Sequence, residues 1–221
     1  PMIVGSLYVT AGAMIVGVPG GLLTALYFSR FARGRTGSFL RSGVELLAGI
    51  PSVVYGFFGL VIIVPFVRLL GPGTGLSVLA ASLILGIMIL PTVITVAQSA
   101  LDAVPARYYE GALALGVDHE HAVFKVVAPA AASGIMAAIV LGLGRAIGET
   151  MAVVMVAGNM PIIPDSLLSG VRTMTANIVL EMGYAADLHR EALIATGVVL
   201  FVFILLITML LNVIRKRGEA R

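Results

Sequence analysis

Apolar residues occupy five long stretches of the chain, and short segments between them carry nearly all of the charges. Each stretch reaches the ~20 residues that a helix needs to cross a bilayer, so the pattern predicts five membrane-spanning helices. The expected spans are 3–29, 44–70, 76–100, 130–157 and 192–214. Proline lies inside three of them, and membrane helices tolerate proline where neighbouring helices pack closely. The fold class is therefore an all-α membrane protein, a polytopic helical bundle.

The charged segments indicate which side of the membrane each loop occupies. Four arginines and no acidic residue follow the first span: Arg30, Arg33, Arg35 and Arg41. Such an excess of basic residues is typical of cytoplasmic loops. The loop after the third span lies two crossings further on and is expected on the same side. Another basic cluster ends the chain, namely Arg215, Lys216, Arg217 and Arg221. An odd number of spans then puts the N-terminus outside, and we expect that a preceding span is missing from this sequence.

Composition supports a membrane protein and excludes several classes of chemistry. Of 221 residues, 59% are hydrophobic and 11% are charged, whereas soluble domains carry about 25% charged residues. The absence of cysteine excludes disulfides and thiolate sites. A net charge of +3, spread over short clusters, does not indicate a nucleic-acid partner. His119 and His121 are two residues apart, a spacing that does not converge on one metal. We predict no catalytic residue, metal or cofactor, and hence no enzyme.

The segment 101–129 is the longest polar interruption between two apolar runs. Its first part, from Ala106, is predicted to form a short amphipathic helix that Gly116 ends, because glycine readily adopts the left-handed conformation. Pro129 is expected to open the next helix, where its missing N–H costs nothing. Such a helix either lies on the membrane surface or fills a groove on a soluble partner.

Two ionisable residues, Arg145 and Glu149, lie within the fourth apolar stretch. Each would cost about 2.5–3.5 kcal/mol alone at the centre of a membrane helix. Their spacing of four residues would place them on one helix face, within pairing distance. One interpretation is a self-neutralised structural pair. The other is a transport pathway, which intramembrane charges commonly mark.

The segment 158–190 is too polar to cross the membrane simply. We expect it to lie on the outer face or to re-enter the membrane partway. Four of its charged or titratable residues are expected to face water or a partner: Arg172, Glu181, Asp187 and His189.

Several of these residues, taken with their spacing, resemble the EAA loop of bacterial ABC-importer permeases. The matching positions are Glu110, Gly111, Ala112, Gly116, Val126 and Pro129. This chain has Gly111, Val126 and Ala128 where the motif has alanine, isoleucine and leucine. Three further stretches resemble the PstC-type permease of phosphate-specific importers: 45–65, 143–159 and 171–185. The resemblance extends over nearly the whole chain.

This resemblance implies one transmembrane permease domain over 1–221, with the six-span type I ABC importer fold and its first span missing. The segment 101–129 would be the cytoplasmic coupling loop, and 158–191 an outer-face segment. The residues that dock on the ATPase would be Glu110, Gly111, Ala112, Gly116 and Pro129. Arg145 and Glu149 would belong to the substrate pathway, and a guanidinium suits a phosphate oxyanion.

The implied partners are an A-type phosphate permease, an ATPase dimer that hydrolyses the ATP, and a periplasmic phosphate-binding protein. The substrate would be inorganic phosphate, and the protein would lie in the lipid bilayer of a bacterial inner membrane. Three alternatives stay open: a permease for another oxyanion such as sulfate or molybdate, a structural scaffold, or a secondary transporter. The secondary transporter would use Arg145 and Glu149 as a proton-linked pair driven by an ion gradient.

Overall fold

The computed structural model describes residues 1–32 and 34–219 as a bundle of helices. Arg33 and Arg221, two of the basic residues considered above, lie outside the described residues. The first helices are α1 (Met2–Phe31), α2 (Gly34–Gly49), α3 (Ser52–Arg68) and α4 (Val78–Asp102). The next are α5 (Ala106–Ala114), α6 (His119–Ala130), α7 (Ala132–Gly148) and α8 (Met151–Val156). The last are α9 (Met174–Glu181) and α10 (Asp187–Glu219).

Three helices are long and apolar enough to cross a membrane unaided: Met2–Phe31, Val78–Asp102 and Asp187–Leu211. Two pairs meet the same criteria together but are bent, α2 with α3 by 101° and α6 with α7 by 71°. Within residues 1–32 and 34–219, length and composition therefore give three candidate spans, or up to five if each bent pair is one span. The prediction of an all-α, multi-pass helical bundle is confirmed.

The second expected span, 44–70, is not one continuous helix. Helix α2 begins at Gly34, inside the arginine loop, and ends at Gly49. Pro51 is extended, with φ −61° and ψ 143°. Proline has no N–H and disfavours helical geometry in the residue before it, so the helix stops there. The hydroxyl of Tyr55 donates to the Leu47 carbonyl oxygen, 2.8 Å away, and so bridges the break.

Helix α4 is the centre of the bundle, and α1 and α7 both pack along it. Its inward side chains, Ile84, Leu85, Met88 and Ile89, are fully buried. Helix α1 approaches closely because it presents glycines there. A Cβ added at Gly17 would lie 2.7 Å from the Gly86 carbonyl oxygen. Close packing through small residues is characteristic of membrane helices, where dispersion contacts replace the hydrophobic driving force.

The segment after α8 covers one end of α4. The first backbone N–H groups of α4 donate to carbonyl oxygens there: Val78 to Ser169 at 3.0 Å and Leu79 to Leu167 at 2.8 Å. Ser77 caps the same helix end by accepting from the Ala80 N–H at 3.2 Å. These bonds satisfy donors that a helix start leaves without an intrahelical partner. The segment 158–190 is thereby fixed at the end of the bundle opposite the coupling loop.

Candidate functional site

The fourth apolar stretch is interrupted at Glu149. Helix α7 ends at Gly148, and Glu149 is extended, with φ −71° and ψ 137°. The prediction that Arg145 and Glu149 share one helix face is therefore wrong. In the described part of the chain, no ion pair within 4.0 Å joins them. Gly148 is a poor helix former, and the β-branched Thr150 follows two residues later, so the helix ends here readily.

Glu149 instead holds the two sides of this break. Its Oε1 accepts from the Ala152 N–H at 3.1 Å, near the start of α8. Its carbonyl oxygen accepts from the Thr175 hydroxyl at 2.9 Å. Glu149 is half-buried, whereas Arg145 in the last turn of α7 is exposed. A cation there is favoured by the helix dipole. The guanidinium thus stays available to a solute or to a neighbouring subunit.

Thr175 belongs to a small group of buried hydroxyls that sequence reasoning missed. Thr175 and Thr173 lie 3.1 Å apart, and Ser6 on α1 accepts from the Met174 N–H at 3.0 Å. This group connects α9 to the start of α1 and to the Glu149 break. The only signal in the sequence was two threonines two residues apart, which does not indicate a long-range contact.

Arg172 and Glu181 pair with each other and are mostly shielded from water, while contact of either residue with a partner stays a prediction. Arg172 Nη1 lies 2.8 Å from Glu181 Oε1, and both side chains are only about one-fifth exposed, at 18% and 21%. Arg172 Nε also donates to the Asn159 carbonyl oxygen at 2.9 Å. Asp187 and His189 are exposed, as expected. The outer segment is therefore a packed unit held by an internal ion pair.

The segment 101–129 has the predicted short helix: α5 ends at Ala114, and Gly116 follows in the left-handed conformation with φ +82°. Glu110, Gly111 and Gly116 are exposed, while Ala112 is 7% exposed and packs inward. Pro129, also exposed, does not open the next helix. That helix begins ten residues earlier, at His119, and the chain bends at Ala131 just after Pro129.

The start of α6 is capped by Asp118. Its carboxylate accepts from the His121 backbone N–H at 2.9 Å and lies 2.7 Å from the His121 ring Nδ1. These hydrogen bonds, with the backbone one strongest, hold the pKa of Asp118 below its usual range. The cap is therefore ionised at neutral pH and weakens only as the pH falls through that lowered pKa.

The arginine loop and the coupling loop lie at the same end of the bundle. Arg30 Nη2 donates to the Leu101 carbonyl oxygen at 2.9 Å, and the Ser29 hydroxyl donates to Asp102. Both acceptors lie in the last turn of α4, at the start of the segment 101–129. The structure thus agrees with the assignment of these two loops to one side of the membrane.

The exposed amphipathic helix α5 lies at one end of this bundle of apolar helices. Solved structures show the same fold. They include the MetNI methionine ABC transporter in an inward-facing conformation, with TM-score 0.71 and 21% identity over 97% of this chain and 91% of that chain. A bacterial ABC transporter involved in the import of alginate has TM-score 0.72 and 16% identity, covering 98% and 78%.

Residues 17–219 match the family profile described as "Binding-protein-dependent transport system inner membrane component", and the chain belongs to this family. The probable ABC transporter permease protein YqgH of Bacillus subtilis is 38% identical, covering 99% of this chain and 72% of that protein. The phosphate transport system permease protein PstC of Mesorhizobium japonicum is 34% identical, covering 99% and 73%. PstC 1 of Mycobacterium tuberculosis is 35% identical, covering 100% and 71%. The chain is thus a multi-pass permease subunit of an ABC importer.

Proposed function

We propose that this permease carries inorganic phosphate into a bacterial cell, as one of two permease subunits in an ATP-driven importer. The observation that carries the proposal is similarity over nearly the whole chain to proteins described as phosphate transport system permeases. The whole of 1–221 would act as one transmembrane domain in the inner membrane, and a partner subunit would hydrolyse the ATP.

Arg145 is the residue we propose for contact with phosphate along the pathway. It is an exposed arginine on a membrane-spanning helix, and such a charge is costly unless it faces water, a solute or another subunit. A guanidinium binds two phosphate oxygens at once through its planar fork of N–H donors. Glu149 lies just beyond it at the break, and its negative charge would shorten the time that the anion remains bound.

The partners attach at the two ends of the bundle. An ATPase dimer would dock on the cytoplasmic coupling loop 101–129 through Glu110, Gly111, Ala112, Gly116 and Pro129. Beside these residues, Leu115 is 85% exposed, an apolar side chain suited to burial against a partner. A periplasmic phosphate-binding protein would approach the outer segment 158–191. The second permease, of the A type, would complete the pathway.

The test is transport by the complete importer reconstituted in proteoliposomes, with phosphate, sulfate or molybdate supplied on its cognate binding protein. We expect ATP-dependent uptake of phosphate alone. Arg145→Ala should lower uptake at least about tenfold, because a hydrogen-bonded charge contact contributes ~1.5–3 kcal/mol. Arg145→Lys should also lower phosphate uptake, because an ammonium group cannot donate to two phosphate oxygens in the bidentate geometry of a guanidinium.

Arg35→Ala is the matched control, since Arg35 is an exposed arginine near the start of α2 and should leave uptake unchanged. Uptake of a different oxyanion would be consistent with an ABC importer permease but would rule out phosphate as its substrate. Uptake driven by an ion gradient without ATP would favour the secondary-transporter alternative. Full transport by Arg145→Lys would reject bidentate binding.

A further inference from the structure

Side chains from three separate segments meet beside the coupling helix. Arg30 and Phe31 end α1, Tyr109 lies on α5, and His119 begins α6. The Tyr109 hydroxyl is 2.7 Å from His119 Nδ1. The Phe31 and His119 rings meet edge-on with centroids 4.7 Å apart, and the Arg30 guanidinium lies 6.0 Å from the Tyr109 ring centroid. We call these four residues the clasp.

The clasp is also tied to the end of α4. Arg30 donates to the Leu101 carbonyl oxygen, and its Nε is buried with no hydrogen-bond partner among the described residues. Phe31, Tyr109 and His119 are all half-buried. The hydrogen bond to Leu101 and the burial of Nε fix the position of the Arg30 side chain relative to α4.

Without the clasp, little would hold α5 to the first helix. Helix α5 has only nine residues, and helices that short are marginal unless they pack against something. It is joined to its neighbours by short turns, one of which contains the left-handed Gly116. A force applied to its exposed face would therefore bend these turns before it moved the bundle.

We propose that the clasp makes α5, the start of α6 and the end of α1 move as one rigid body, with Tyr109 and His119 as its positioning residues. This inference rests on the proposed docking of an ATPase on α5. Motion of the coupling helix would then pass directly to α1 as well as along the chain into α6. Since α1 contacts both α4 and α7, the displacement reaches the helix that carries Arg145.

The first test compares phosphate imported with ATP hydrolysed in the reconstituted importer. Tyr109→Phe removes only the hydroxyl, and His119→Leu removes its partner while keeping an apolar side chain. We expect both variants to assemble and hydrolyse ATP. The number of phosphate ions imported per ATP hydrolysed should fall roughly fivefold, because one hydrogen bond contributes about 1 kcal/mol net to the state in which α5 and α1 move together.

His121→Leu is the matched control. His121 is an exposed histidine two residues after His119, and its ring bonds to Asp118 and to no residue of the clasp. Its import per ATP should equal that of the wild type. A purely structural role for the clasp would lower import and hydrolysis together at a constant ratio, and that result would overturn the proposal. A wild-type complex that imports nothing with ATP would overturn the proposed function itself.

The second test restores the connection covalently. The chain has no cysteine, so Phe31→Cys with His119→Cys introduces one defined pair. Before cross-linking, the double variant should show the same low import per ATP. A short bis-methanethiosulfonate reagent should bring the ratio back toward wild type, and reduction should lower it again. Cross-linking that stops import would show that the two segments must move apart during transport, which contradicts one rigid body.

Discussion

At the residue scale, Glu149 holds the break between α7 and α8, and we propose that its negative charge also acts on an anion bound at Arg145. These two roles depend on different properties of the Glu149 side chain. Capping requires only an oxygen that accepts from the Ala152 N–H. An effect on a bound anion requires the charge. Isosteric substitution can therefore separate them.

We expect Glu149→Gln to keep the thermal stability of the wild type, because the amide oxygen can still accept from Ala152, while phosphate uptake falls. Glu149→Leu should lower both thermal stability and phosphate uptake. Loss of the hydrogen bond to Ala152 should reduce the free energy of unfolding by about 1 kcal/mol. Thermal unfolding in detergent and uptake in proteoliposomes measure the two effects. Glu45→Gln, at an exposed acid on α2, serves as the control. Unchanged uptake in Glu149→Gln would exclude a role for the charge.

At the element scale, the contact between α1 and α4 depends on small residues at particular positions. Gly17 faces α4 so closely that a Cβ would lie 2.6 Å from Ile89 Cγ1 and 2.7 Å from the Gly86 carbonyl oxygen. Backbone cannot move aside as a flexible side chain can. Gly20, one turn later, has 3.4 Å to the nearest Leu90 atom, which is ordinary contact.

Gly17→Ala should therefore force the two helices apart and lower the free energy of unfolding by about 1–3 kcal/mol. Gly20→Ala should be neutral or slightly stabilising, since alanine favours the helix over glycine. Thermal unfolding of the two variants in the same detergent makes the comparison direct. Equal stabilities would show that the α1–α4 interface adjusts without cost.

Some helices could be predicted from the sequence and others could not. Hydropathy placed α1, α4 and α10 within a few residues of their observed bounds, because each is one uninterrupted apolar helix. It failed at Pro51 and at Glu149, where the apolar pattern continues although the helix does not. Pro51 carried a readable signal in its effect on the preceding residue. At Glu149 the local signals, Gly148 and Thr150, were weak, and the Thr175 hydrogen bond that holds the break comes from a residue distant in sequence.

At the scale of the whole molecule, loops at the two ends of the bundle define its orientation. The arginine loop and the coupling loop contact each other at one end, and the turn before α4 lies with the outer segment at the other. Basic residues favour the cytoplasmic side for the first of these ends. Charge alone oriented the coupling loop weakly, whereas the contact with Arg30 ties it to the arginine loop.

Cysteine labelling in intact cells can check this orientation, because the chain has no cysteine of its own. Thr74→Cys, exposed in the turn before α4, should react with a membrane-impermeant maleimide added outside. Thr36→Cys, exposed at the start of α2, should react only after the membrane is permeabilised. The opposite pattern would invert the topology.

The clasp also constrains the order in which the protein is made. Phe31 and His119 meet in the finished molecule, but the ribosome adds them far apart in time. With synthesis at about 5–20 residues per second, the roughly 90 residues between them take several seconds to emerge. Throughout that interval the end of α1 lacks its contacts with Tyr109 and His119. Until then, lipid contacts and flanking arginines hold α1 in the bilayer, among them Arg41, which donates to the Phe28 carbonyl oxygen.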